Sequence, residues 1–65
     1  MAKGYYRQVC EQLTLHGWGF HRNAKGDHEL WSHPDYRHKI TVDGVIKSRA
    51  LANAMMKQAG INHKF

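Results

Sequence analysis

The sequence predicts an α+β fold in the order helix, strand, strand, strand, helix, with a three-stranded antiparallel sheet and both helices on one of its faces. Three observations carry this prediction. Apolar residues recur at helical spacing near each end of the chain. Between them, three stretches alternate with a period of two. The joints hold glycine, proline or aspartate where the chain must change direction. At 65 residues there is room for one domain, spanning 1–65. A domain of this size buries only about 60% of the surface its unfolded chain exposes. Any activity therefore belongs on a surface, and its substrate must be large enough to come to that surface.

The first helix is predicted over residues 4–16. Tyr6, Val9, Cys10 and Leu13 follow the i, i+3, i+4, i+7 rule, and Gly17 stands where a helix commonly stops. Cys10 lies in this stripe and reads as a small core residue. "WGFHRNA" then alternates, with Trp18, Phe20 and Arg22 on one side and Gly19, His21 and Asn23 on the other. "AKGD" is a turn built around Gly26, which takes positive φ at little cost. "HELWSH" is the returning strand, broken by Pro34 and Asp35. "RHKITVD" restores the alternation, with Ile40 and Val42 sharing a side, so residues 18–43 form a meander. A connector runs from Asp43 to Lys47, and Ser48 is a good N-cap for "RALANAMMKQA". Leu51, Met55 and Ala59, spaced four apart, are expected to lie on the sheet, and Gly60 ends the helix. The final "NHKF" has no obvious partner and is expected to fray. A sheet with one apolar face must cover it, and two helices do so. This layout matches the double-stranded-RNA-binding-domain fold.

Composition narrows the function. With one cysteine no disulfide can form within the chain, which fits a reducing cytoplasm. The start is too polar for a signal peptide, and no apolar run approaches the roughly 20 residues of a membrane span. Ten Lys and Arg oppose five Asp and Glu, for a net charge of +5 and an isoelectric point near 9.7. So basic a chain points to a polyanionic partner, nucleic acid or an acidic protein.

Several chemistries are disfavoured. The six histidines come without C-x-x-C or H-x-x-x-H, and His33 with His38 would supply only two of the four ligands a structural zinc needs, so no metal is expected. Ser32 and Ser48 have no base and orienting acid suggested by spacing, and no glycine-rich phosphate loop precedes a helix. Histidine acid–base chemistry on a phosphodiester remains. Imidazole titrates near neutral pH, and RNA supplies its own nucleophile, the 2′-hydroxyl. Such a protein needs a placed proton carrier and cations near the phosphate.

His28 is the candidate. It opens the second strand two residues after Gly26, where the turn fixes its backbone. By parity it shares a side with Leu30, which would turn it toward the helices, although a strand end beside a turn still reaches solvent. Lys25 and Arg22 are close in the hairpin, with Lys47 and Arg49 as neighbours across the fold. Spacing by itself favours the plainer reading of His28, a polar residue beside a turn.

The words "LTLHGWGFHRNAKGDHELWSHPD" and "MMKQAGI", in this order, are similar to those of the HicA toxin family, the mRNA interferases of bacterial toxin–antitoxin pairs. In that family a helix ends before a glycine and an aromatic strand. A hairpin then carries G-S-H, a hydrophobic, an aromatic and often H-P, and the last helix closes on K-x-A-G-hydrophobic. The resemblance covers nearly the whole chain. It places the family's catalytic histidine on His28 and its glycine on Gly26, and it implies a metal-independent endoribonuclease that cleaves mRNA in the cytoplasm without a cofactor. It also implies a HicB-type antitoxin as protein partner. Lys25, Arg22, Lys47 and Arg49 would then bind RNA phosphates. Trp31 would stack on a base if exposed, or otherwise pack against neighbouring strands. Departures from the family pattern are Asp27 in place of the usual serine, the short connector "DGVIKS", and "RALANA" in place of Thr-Leu-Arg at the start of the last helix. The alternatives are a non-catalytic RNA-binding module and a protein-interaction domain of the same fold.

Overall fold

The computed structural model describes residues 4–65. The element order is α1 (Tyr6–Leu15), β1 (Gly19–Asn23), β2 (His28–Ser32), β3 (Ile40–Asp43) and α2 (Arg49–Gln58). The three strands form one antiparallel sheet in the order β1-β2-β3. This is the expected α-β-β-β-α architecture, and it is consistent with a double-stranded-RNA-binding-domain-like layout.

Helix α1 begins two residues later than its periodicity suggests. Gly4 has φ of 61° and forms a parallel bridge to Ile46, and the Tyr5 N–H donates to the Ile46 carbonyl at 2.8 Å. Those residues tie the start of α1 to the connector before α2. Val9 and Leu13 are fully buried, with Tyr6 and Cys10 packed beside them, as the apolar stripe requires. Both helices end in the same device. At α1 the Gly17 N–H donates to the Thr14 carbonyl and the Trp18 N–H to that of Leu13; at α2 Gly60 and Ile61 do the same to Lys57 and Met56. Each glycine has positive φ and the apolar residue after it is buried, and the paired hydrogen bonds are those of a Schellman cap.

On α2 the Ser48 hydroxyl accepts from the Leu51 N–H at 3.0 Å, so the expected cap is present. The buried stripe is Ala52, Met55, Met56 and Ala59, whereas Leu51 is 38% exposed. A four-residue spacing drifts around a helix of 3.6 residues per turn. The stripe set by Met55 and Ala59 therefore passes through Ala52, and Leu51 is carried to its rim. With Val9, Leu13, Trp18, Trp31, Ile40, Val42, Ile46 and Ile61 these residues make one core, which holds both helices against a single face of the sheet.

The last residues, expected to lack a partner, have one. The Phe65 N–H donates to Asn53 Oδ1 at 2.8 Å, and its ring lies 5.6 Å from that of Tyr5.

Candidate active site

Which way β2 faces decides the site. Glu29 and Trp31 pair with the buried Val42 and Ile40, so they point to the helices. Their inward position is secured by hydrogen bonds: Glu29 accepts from the Tyr6 hydroxyl at 2.7 Å and from the Trp31 indole N–H at 2.9 Å. Retention of the proton by Tyr6 follows, because its hydroxyl donates to a carboxylate and is partly buried; its pKa is pushed well above the usual tyrosine range. His28 and Leu30 do share a side, but it is the side away from the helices. The parity was legible, and the choice of face was not, because a charged residue occupies the inner position. Trp31 is 6% exposed. The exposure that base stacking requires is absent, and the indole packs in the core instead.

The same geometry corrects the reading of β1. Phe20 pairs with Trp31 but Arg22 pairs with Leu30, because the register shifts between them. A bulge adds a residue to one strand and so changes which side later residues occupy. Simple alternation puts Arg22 beside Phe20; the bulge at His21 places Arg22 on the His28 face. The open face of the sheet thus carries Arg22, His28, Leu30, Ser32, Thr41 and Asp43.

His28 is held from several directions. Its carbonyl accepts from the Ala24 N–H at 2.8 Å, and its own N–H donates to the Lys25 carbonyl at 3.3 Å. Gly26, with φ of 66°, makes that turn possible. The Gly44 N–H donates to the Asp27 carbonyl at 2.9 Å, which ties the hairpin to the end of β3. Across the sheet His28 pairs with Asp43, and His28 Nδ1 lies 2.6 Å from Asp43 Oδ1. Half of the His28 side chain remains exposed. Asp43 is the residue that sequence reasoning missed. Its signal lies in the register: once Ile40 and Val42 pair with Trp31 and Glu29, Asp43 can only face His28.

Among the predicted cations, Lys25 is in the turn that holds His28, and Arg22 is on the same sheet face, with its guanidinium donating to the Asn23 carbonyl at 3.2 Å. Lys47 and Arg49 are exposed at the start of α2, beyond Asp43 in the chain and in the helical layer. The structure groups Lys25 and Arg22 with His28 more directly than it does Lys47 and Arg49.

His33 and His38 both pack against Trp18, with rings 5.3 Å and 5.9 Å from its own. His33 Nε2 donates to the His16 carbonyl at 2.9 Å, and its Nδ1 accepts from the Asp35 N–H at 3.0 Å. Among the described residues no group of three or more His, Cys, Asp or Glu is placed to hold a metal ion. An apolar hollow of about 500 Å³ lies between α1 and Trp31, lined in part by Cys10, Thr14 and Leu15, and does not include His28. With half of its side chain exposed, His28 lies on the surface. Among the described residues no helix is long and apolar enough to cross a membrane.

The family model described as the HicA toxin of bacterial toxin–antitoxin systems matches residues 6–61. No curated protein and no solved structure matches the chain.

Proposed function

The chain belongs to the HicA toxin family, the toxin side of bacterial toxin–antitoxin pairs, and we propose that it is a metal-independent endoribonuclease acting on mRNA through His28. The observation that carries this reading is the His28 side chain, half exposed on the open sheet face with Nδ1 held by Asp43. Its other ring nitrogen is left to meet a substrate.

The chemistry follows from what RNA brings. The 2′-hydroxyl attacks the neighbouring phosphorus, and His28 takes the proton it gives up. The bond from phosphorus to the 5′ oxygen breaks, leaving a 2′,3′-cyclic phosphate and a 5′-hydroxyl, which takes its proton from the imidazolium or from water. The nucleophile is the substrate's own, so no metal-bound water is required. Lys25 and Arg22 steady the charge that grows on the phosphoryl oxygens, and Lys47 with Arg49 hold the strand farther along. A net charge of +5 favours both an RNA substrate and neutralisation by an acidic HicB-type antitoxin, with both partners in the cytoplasm.

The test is cleavage of an end-labelled single-stranded RNA in EDTA by the wild type and by His28→Ala. The expected loss is about 10²–10⁴-fold, the usual range for a placed acid or base. RNA binding should be kept, since phosphate contacts carry most of the affinity. Equal cutting by both proteins refutes the role of His28. Binding without cutting by either supports the non-catalytic RNA-binding module instead.

A further inference from the structure

We propose that Asp43 is the positioning residue of this site: it fixes the tautomer and ring direction of His28, so that Nε2 is the nitrogen that handles the substrate proton. This rests on the ribonuclease reading for its catalytic meaning, but the link itself is a property of the protein alone.

The geometry is direct. A carboxylate oxygen only accepts, so a 2.6 Å contact from His28 Nδ1 to Asp43 Oδ1 puts the hydrogen on Nδ1. In the neutral ring that leaves the lone pair on Nε2. An unconstrained histidine side chain prefers the opposite arrangement, with hydrogen on Nε2, which has no lone pair there to accept a proton. Asp43 thus selects the tautomer that works as a base. When Nε2 takes a proton, the same carboxylate lies beside the new positive charge.

The backbone is arranged to keep this pair together. His28 and Asp43 are directly paired in the β2–β3 register, so their separation is set by the sheet and not by two mobile loops. The next residue, Gly44, donates its N–H to the Asp27 carbonyl, one residue before His28. A Cβ added at Gly44 would stand 2.9 Å from that oxygen and 3.3 Å from the Asp27 Cβ, so a larger residue would force the hairpin off the end of β3. The close approach at Gly44 holds the two strand ends at the separation that the His28–Asp43 contact needs. His28 is 50% exposed in its side chain and Asp43 34%, so the pair sits at the surface, where a docked strand can reach the imidazole.

The test uses the full chain, with ¹⁵N spectra of the histidine rings recorded for the wild type and for Asp43→Ala and Asp43→Glu at about pH 9, above the ordinary imidazole range. The His28→Ala spectrum assigns the signals. The wild type should show His28 with hydrogen on Nδ1, and Asp43→Ala should shift it toward hydrogen on Nε2. In parallel, cleavage by Asp43→Ala should fall about 10–100-fold in kcat with KM changed less than about twofold. The loss is bounded by the ~10²–10⁴-fold that acid–base catalysis supplies. Asp43→Glu should recover part of both the tautomer and the rate. Hydrogen on Nε2 in the wild type, or an unchanged His28 spectrum in Asp43→Ala, overturns the proposal. So does a cleavage rate within twofold of wild type in Asp43→Ala. A wild type that does not cut RNA refutes the ribonuclease reading, while the spectra still decide whether Asp43 sets the state of His28.

Discussion

Gly17→Ala tests whether the loop after β2 is clamped to the end of α1 by His33. The residue has φ of 93°, so an alanine there pays for a backbone conformation that side chains disfavour, about 1–2 kcal/mol. Its Cβ would also stand 2.7 Å from His33 Nε2. Restoring ordinary contact at about 3.4 Å moves the ring by roughly 0.7 Å, which stretches its 2.9 Å bond to the His16 carbonyl beyond useful length. One lost hydrogen bond adds about 1 kcal/mol, and disturbed packing against Trp18 adds to it, for a total of about 2–4 kcal/mol. Against a stability of about 3–10 kcal/mol for a chain this short, that is a large fraction. The control is Gly26→Ala, where φ is 66° but no atom lies within 4 Å of the added Cβ, so only the backbone cost of about 1–2 kcal/mol applies. Urea unfolding followed by tryptophan fluorescence gives both numbers. At a slope of about 1 kcal/mol/M, Gly17→Ala should lower the midpoint by about 2–4 M, clearly more than Gly26→Ala. If the two variants unfold within about 0.5 kcal/mol of each other, the His33 clamp contributes nothing, and the reasoning fails.

Two further outcomes are expected. Tyr6 donates to Glu29 and holds its proton above the ordinary tyrosine value of 10.0, so the stability it adds is full below about pH 10 and is lost as pH rises beyond that. Tyr6→Phe should remove one high-lying step from the ultraviolet titration of the tyrosines and lessen the alkaline loss of stability; an unchanged titration refutes the link. Asp27 engages Gly44 through its backbone, so Asp27→Ser should fold normally while it removes a carboxylate next to His28. RNA affinity in a filter-binding assay should then rise about 2–5-fold at low salt and much less at high salt, and equal gains at both would exclude an electrostatic cause.

Legibility from sequence followed the range of the interactions. The caps were readable because they are local: Gly17, Gly60 and Ser48 act on atoms within a few residues of themselves. The strands were readable from their alternation. The facing of β2 was not, because Glu29 takes an inward position that hydrophobic patterning assigns to an apolar residue. It is tolerated there only because Tyr6, from another element, and Trp31 bond to its two oxygens. The bulge in β1 was equally hidden. No glycine marks it, and its effect, moving Arg22 to the other face, exists only relative to β2. His28 could be picked out by resemblance, yet Asp43 could not, since it became visible only once the β2–β3 register was known. The anchoring of Phe65 through Asn53 is likewise a long-range contact without a local signature.

The start of β2 explains how so small a chain can build a site on its surface. Successive strand residues point to opposite faces, and here both carry polar side chains that are tied down. Glu29 reaches inward to Tyr6 of α1, while His28 reaches outward to Asp43 of β3. One short segment is thereby fastened to two other elements from its two sides, with Lys25 and the Gly26 turn projecting just beyond it. His28 is thus fastened partly through a bond network facing the core, while half of its own side chain stays exposed. On the proposed ribonuclease reading, that arrangement would suit a long polymer substrate: the protein would order one imidazole and a few cations, and a strand laid across the open face would supply the nucleophile.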